Sequence, residues 1–426
     1  MGISSFQMLV MFRRGLFYSY LSIYLRHFLG LSVTATTLFA TLPMIFNVVC
    51  QRYVWGIFSD RHQKRRSLII WGEILAAAGT VLLWYAHLIP EKKLMSGYVI
   101  IAGLCVIEIF WSMSNIGWSA LISDIYRKGS RAGIMGRLES IGGIGRIMGI
   151  LIGGLMYDKL GTSYEGWGFN EGALFLIAAG VMAFSIIPML MVPEGGIQKQ
   201  ERDYESKSSL TGEFNLYIFI IFISSMVLIN FGRNSVAVIL TQYLTLPDGF
   251  NLPSLTLSHV ANLRSVAIIL AGFLAGWASG KAGNSNILFA ASLAAAAGLV
   301  LLGSTDSLFY VCISIFLMGL ADVTIIASSY ELASQLIPPE KRGRLFSIFN
   351  ATIFLSFGTA STLITGPVAD ILIYSGKTDT YAYKVSFLVA AGITLAGIIL
   401  LVHLFTLLKK NTDTQEGHIK YSEPED

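Results

Sequence analysis

The chain has 426 residues, of which 54% are hydrophobic and only 13% charged, with a mean hydropathy of +0.65. Average soluble domains carry about 25% charged residues, so this composition excludes an ordinary soluble domain and fits a chain solvated by lipid. The net charge of +4 is too small to suggest a nucleic-acid partner, and the three cysteines (Cys50, Cys105, Cys312) sit inside apolar runs at unrelated spacings, which suggests neither a disulfide framework nor a metal cluster.

The first apolar segment, 4–29, reaches Arg13-Arg14 too early for a cleavable signal peptide and is expected to remain as a helix. Span 2, 32–58, runs into the polar knot Gly56-Ile57-Phe58-Ser59-Asp60-Arg61-His62-Gln63-Lys64-Arg65-Arg66, and span 3 follows over 67–88. A charged turn this short between two apolar runs predicts a membrane hairpin. Spans 4 (97–123), 5 (132–157) and 6 (171–192) complete a first set of six. Pro193–Glu213 is the longest polar stretch inside the chain and predicts a linker. Spans 7 (214–244), 8 (255–279), 9 (285–303), 10 (307–336), 11 (343–374) and 12 (383–408) form a second set, and the polar tail from Asn411 is expected to be unstructured. The fold class is therefore an all-α polytopic membrane protein of twelve transmembrane helices. Its expected parts are 1–192, a linker 193–213, a second bundle 214–408 and a tail 409–426. With the N-terminus in the cytoplasm, the cytoplasmic segments hold eighteen Lys and Arg residues and the opposite side six. That bias predicts a cell-membrane protein with both termini cytoplasmic.

Charges deep in the spans are costly and normally face water or a partner. Arg14 and Arg233 each lie ten residues before a Tyr-Leu pair that ends the span, Tyr24-Leu25 and Tyr243-Leu244. Ten residues of helix is about 15 Å, half the hydrocarbon thickness. Arg13 points about 100° away from Arg14, so at most one of them faces a cavity squarely. Tyr18 lies one turn beyond Arg14. Span 4 places Glu108, Trp111 and Asn115 on one face, span 10 carries Asp322, and Arg146 and Arg264 lie deep in spans 5 and 8. Arginines outnumber these acids, which points to an anionic or zwitterionic solute bound between the symmetric pair Arg14 and Arg233, with Tyr18, Glu108, Trp111, Asn115 and Asp322 at the same site and Arg146 and Arg264 as secondary charges. The alternative is that Arg14 pairs with Glu108 and Arg233 with Asp322 as structural ion pairs. Glu108 and Asp322 are the candidates for protonation. Gly142, Gly145, Gly149 and Gly153 share a face of span 5 that suits close helix contact.

The halves repeat one another. The Arg-to-Tyr spacing of span 1 recurs in span 7, the Gly56–Arg66 turn has a weaker copy at Gly276–Asn284, and Asp124…Arg131 matches Gln335…Arg342 at equal spacing. Gly56-x-x-x-Asp60-Arg61-x-x-Lys64-Arg65 resembles the loop 2–3 signature of the major facilitator superfamily. Asp124…Arg131 resembles that family's loop 4–5 motif, and Lys341-Arg342-Gly343-Arg344 its echo in loop 10–11. Gln63 stands where the family usually has Gly, Gly280 replaces the second-half Asp, and Gly149-Ile150-Leu151-Ile152-Gly153-Gly154 resembles the exporter motif of span 5 without its Pro.

The resemblance implies two pseudo-symmetric six-helix bundles and alternating access to a midplane site lined by spans 1, 4, 7 and 10. It places Asp60 near the start of span 11 and makes Gly56, Asp60, Arg61, Arg65, Asp124, Arg131 and Arg342 a cytoplasmic gate, with ion pairs expected to hold the halves together. The expected partners are a small-molecule substrate, a proton or another co-transported ion, and the bilayer; no cofactor or metal is expected, and the chain should act as a monomer. A polyspecific drug or lipid exporter is the alternative within the class, and a non-transporting receptor on the same fold is a further one. An enzyme is not expected, because no paired catalytic groups, no ATP-binding Gly-x4-Gly-Lys motif, no His-Glu-x-x-His and no Gly-x-Ser-x-Gly occur.

Overall fold

The computed structural model describes residues 2–126, 128–158, 166–195, 215–337 and 342–420. Among the described residues there is no strand, and eleven helices are long and apolar enough to cross a membrane. They are span 2 (Val33–Ser59), span 3 (Arg65–Leu88), span 4 (Lys93–Ile122), span 5 (Arg137–Tyr157), span 6 (Ala173–Leu190), span 7 (Leu216–Leu244), span 8 (Ser254–Gly272), span 9 (Asn284–Ser304), span 10 (Leu308–Leu336), span 11 (Ser356–Tyr374) and span 12 (Asp379–Lys410). Span 1 is the helix Gly2–Ile23, extended by a π-helical turn at Tyr24–Phe28. Its arginines and hydroxyls lower its hydropathy, and it sits against spans 5 and 6. With it the count is twelve. The helix of span 12 runs on to Lys420, so the stretch from Asn411 is helical rather than unstructured as far as that residue. A helix already nucleated by a long span needs little to continue through a polar segment.

Packing repeats between the halves. In the first half span 1 packs on spans 5 and 6, span 3 on spans 4 and 6, and span 2 on span 4. The second half shows the same partners six spans later: 7 on 11 and 12, 9 on 10 and 12, 8 on 10. Between halves, span 5 packs on span 8 and span 2 on span 11. The span 5 glycines permit the tightest of these contacts. A Cβ at Gly149 would fall on the Phe12 carbonyl, so the two backbones touch where any side chain would intrude.

The buried core is forked. One apolar cluster joins both halves around Tyr24, Phe169, Tyr243 and Phe387, on the side away from the termini. On the terminal side the core splits in two. Phe6, Leu121 and Met189 belong to a cluster of first-half residues, and Phe222, Phe349 and Leu404 to one of second-half residues. Hydrogen bonds between halves follow the joined side: Ser22 with Thr241 (2.8 Å), Arg26 to Asp379 (3.1 Å), His27 with Thr245 (3.1 Å), and Thr362 with Thr37 and Thr41 (2.8 and 2.7 Å). Span 2 shows the same polarity. Val33, Thr36 and Thr37 are buried, while Val48, Val49, Tyr53, Ile57 and Phe58 are exposed.

The turn between spans 2 and 3 begins with a helical stretch, Gly56–His62, that extends span 2 beyond a π-turn at Gln51–Trp55. Gln63 then ends it at φ +54°, in the left-handed region that favours glycine. That conformation explains why Gly suits this position. Arg65 is buried and donates to the Ser59 carbonyl and hydroxyl, to Gln63 Oε1 (3.1 Å) and to Asp124 Oδ2 (3.1 Å). Glu194 accepts the Ser67 N–H at 2.9 Å and pairs with Arg66, which ties the start of the interhalf segment to the first turn of span 3.

Candidate substrate cavity

Four arginines and two acids meet where the fork opens. On span 1, Arg14 is exposed at mid-helix, within electrostatic reach of Glu108 on span 4 and Arg146 on span 5. Arg146 is half-buried and directs one N–H to the Met11 sulfur at 3.5 Å. Across the gap, Asp322 of span 10 is shared by two arginines. It accepts from Arg233 of span 7 and from Arg264 of span 8, the latter at 2.7 and 2.8 Å. Arg233 also donates to Asn230 Oδ1 at 3.1 and 2.9 Å and is only 1% exposed. Among the described residues neither Arg14 nor Arg146 has a carboxylate within ion-pair distance.

Of the two ion pairs in the alternative reading, Arg233–Asp322 is present and Arg14–Glu108 is not. Glu108 accepts from Asn47 of span 2, which in turn accepts from Gln51 one turn on. The ion pair of span 1 is instead Arg13–Glu73 at 2.8 Å, with Glu73 also accepting from Ser114 at 2.8 Å. Arg13 lies over the Trp111 ring, 4.0 Å from its centre, so Trp111 is buried inside the first bundle. Tyr18 touches the Trp111 and Phe39 rings and lies within reach of Arg14 and Glu108. Asn115 is half-buried one turn further along span 4. The structure thus brings Arg14, Tyr18, Glu108, Arg146, Arg264 and Asp322 into one electrostatically linked group that spans both halves. It sets Arg233 behind Asp322 and Trp111 behind Arg13.

The gate residues divide likewise. Arg65 and Asp124 pair, but both belong to the first half; the pair braces the start of span 3 against the end of span 4 and is not a bond between halves. The reason is chain connectivity: loops 2–3 and 4–5 emerge side by side from spans that pack on each other. Gly56 opens the helical extension of span 2, and Arg61 is exposed. The side chains of Asp60, Arg131 and Arg342 lie outside the described residues. Sequence reasoning passed over Glu73, Asn47, Gln51 and Asn230. Glu73 had a signal, an isolated acid in an apolar span.

A twofold-repeated set of twelve spans, joined on one side and parted on the other, with a charged cluster between its halves, is the architecture of a membrane transporter. The chain belongs to the Major Facilitator Superfamily, whose family model matches residues 3–244 and 216–424. It is 23% identical over 369 residues to the multidrug resistance protein MdtG of Escherichia fergusonii, covering 84% of this chain and 81% of that one. The MdtG of Salmonella typhi is similar at 23% over 357 residues, 83% and 81% of the two chains. Among solved structures, a mutant form of the nucleoside transporter NupG superposes with a TM-score of 0.73 at 14% identity, covering 95% of this chain and 99% of that chain. A bacterial homologue of the human lysosomal transporter Spinster, inward-facing and occupied, gives 0.69 at 13% identity, with 95% and 96% covered. The protein is a multi-pass membrane transporter of this family.

Proposed function

We propose that the chain is a secondary transporter that carries a small anionic or zwitterionic solute across the cell membrane by alternating access. The observation that carries this reading is the pair Arg14 and Arg146, two intramembrane cations without a carboxylate partner among the described residues, beside a cavity where Asp322 is already shared. An uncompensated arginine at that depth needs an anion, and a bound solute supplies it. Glu108, held by Asn47 on the same cavity, suits the amine of a zwitterion or a coupling proton, and Asp322 between its two arginines is the second candidate for protonation. The moving bodies are the bundles 1–192 and 214–408, joined by the linker 193–213 and followed by the tail 409–426, and one copy suffices because the cavity is built within one chain. The excess of Lys and Arg on the terminal side supports cytoplasmic termini, so the parted side of the fork faces inward.

Likeness to MdtG favours a second reading, a drug exporter, against which stands the absent proline of span 5. One experiment separates them. Purified protein is heated in the presence of carboxylates, phosphates, amino acids and hydrophobic cations, since a ligand that binds the folded state raises its melting temperature. Anions or zwitterions should stabilise it, and Arg14→Ala and Arg146→Ala should each weaken that binding roughly 10- to 100-fold, about 1.5–3 kcal/mol for one charge-assisted contact. Stabilisation by hydrophobic cations alone, or unchanged affinity in both variants, overturns the anion reading.

A further inference from the structure

We propose that Asp370 of span 11 is a gate residue of the transport cycle: its carboxylate holds the far side shut by accepting the first N–H groups of span 2. Its Oδ1 accepts from Val33 N–H at 2.9 Å and its Oδ2 from Thr34 N–H at 2.8 Å. These are the opening residues of the span 2 helix. Ser32 is the N-cap, and its own hydroxyl accepts from Ala35. The first N–H groups of a helix have no partner inside it and carry the positive end of its dipole. Here two of them are filled by a carboxylate from the other half of the molecule. Asp370 is 9% exposed, and among the described residues no Lys or Arg pairs with it, so the helix end is its counter-charge.

The neighbouring chain is shaped for this contact. Gly366, one turn before Asp370, lets the spans touch: a Cβ there would stand 3.0 Å from Thr34 Cα. The first half carries the same pair of residues. Gly154 precedes Asp158 by one turn in span 5, and a Cβ at Gly154 would stand 2.9 Å from the Ser254 carbonyl, where span 8 begins. The repeat shows a one-residue slip that the structure accounts for. Arg131 and Arg342 are 211 positions apart, whereas Asp158 and Asp370 are 212 apart. Span 11 carries the π-helical turn Ser361–Thr365 between the two, and a π-turn takes in one additional residue. The slip brings Asp370 into register with the start of span 2.

Spans 2 and 11 then form a reciprocal lever. The resemblance places Asp60, at the terminal end of span 2, near the start of span 11. Asp370, at the far end of span 11, meets the start of span 2. Val33–Ser59 is about 40 Å of helix, so the two contacts lie at opposite ends of one helix pair. A rocking motion that parts the halves on the far side has to break the Asp370 contact. Asp370 acts by positioning the halves and has no contact with solute.

The test uses no solute, so it stands or falls separately from the anion reading. In the full chain with Cys50, Cys105 and Cys312 replaced by Ser, spin labels are placed at Ile89→Cys and Tyr374→Cys, exposed sites at the far ends of spans 3 and 11. Distances are measured by pulsed electron resonance in lipid nanodiscs. Asp370→Asn should raise the ratio of long-distance to short-distance populations roughly five- to tenfold, the scale expected for losing a charged helix cap. Val33→Pro deletes one of the two N–H partners without disturbing Asp370, and Ser32 already has the extended backbone that a following proline requires. It should shift the ratio in the same direction. A wild-type distance distribution in Val33→Pro overturns the proposal, whether or not Asp370→Asn folds.

Discussion

Two buried arginine–carboxylate clusters, one in each half, differ in a way that separates scaffold from mechanism. In the first half, Arg13 and Glu73 form a closed pair, with side chains 5% and 2% exposed, roofed by Trp111 and joined by Ser114. Every member belongs to spans 1, 3 and 4 of one bundle. In the second half, Asp322 serves two arginines, is 14% exposed, and opens toward Arg146 of the other half. The closed pair has its charge balanced and is almost wholly buried. The shared acid lies in a net positive surrounding at the boundary between the halves. A closed pair can only hold, whereas an acid divided between two cations can exchange one for the other, as the proposed alternating access requires.

The largest effect should come from opening the closed pair. Glu73→Ala leaves Arg13 as a buried charge with no carboxylate, a defect of about 3–5 kcal/mol. Loss of folded yield, or a melting temperature lower by many degrees, is the expected outcome. Asp322→Ala should cost less stability, because Arg233 keeps Asn230 and Arg264 is partly solvated, yet it should reduce solute flux into proteoliposomes at least tenfold. Equal destabilisation by the two substitutions would abolish the distinction. A finer probe is Arg264→Ala, which returns Asp322 to Arg233 alone. It should leave melting within a few degrees of wild type and lower flux several-fold. A variant that melts like Glu73→Ala would show that the second cluster is scaffold too.

Much of the fold was legible because lipid imposes simple rules. Runs of about 20 apolar residues, a polar turn after each, and the repeated Arg and Gly positions were enough to give twelve spans in two like sets. The site was only half legible, and spans 1 and 7 show why. Arg14 and Arg233 have the same ten-residue spacing to tyrosine, yet Arg14 is exposed in the cavity whereas Arg233 is buried and paired. Span 1 runs unbroken to a π-turn at Tyr24, while span 7 loosens at 235–238 before a short helix, Ile239–Leu244. Equal spacing along the chain therefore gives unequal rotation, and one residue of register turns a side chain by about 100°. The ion-paired role that the alternative reading gave Arg14 falls to its neighbour Arg13. Asn47 and Glu73 were hidden for a different reason. Their partners, Glu108 and Arg13, lie on other spans, and span-to-span contacts have no local signature.

The smallest effect tests whether the scaffold side of the comparison can be altered without touching transport. Gln63 holds a left-handed conformation, φ +54° and ψ +25°, at the end of the helix Gly56–His62. A non-glycine residue there bears about 1–2 kcal/mol of steric cost. Gln63→Gly removes that cost and forfeits the side chain's contacts, among them the 3.1 Å hydrogen bond from Arg65, which still has the Ser59 oxygens and Asp124 as acceptors. A bond from a charged donor is worth about 1.5–3 kcal/mol when nothing replaces it. Arg65 keeps its other acceptors, so only part of that is lost; with the greater freedom of an unfolded glycine it offsets most of the relief. The net change should be a gain of no more than about 1 kcal/mol, seen as a melting temperature equal to wild type or slightly above it, with flux within twofold. A fall of several degrees would mean that the Gln63 side chain, and not the backbone, holds Arg65 against Asp124. A change in flux without a change in melting would move this turn from the scaffold to the moving parts, because then its bonds to Arg65 would differ between the two ends of the cycle.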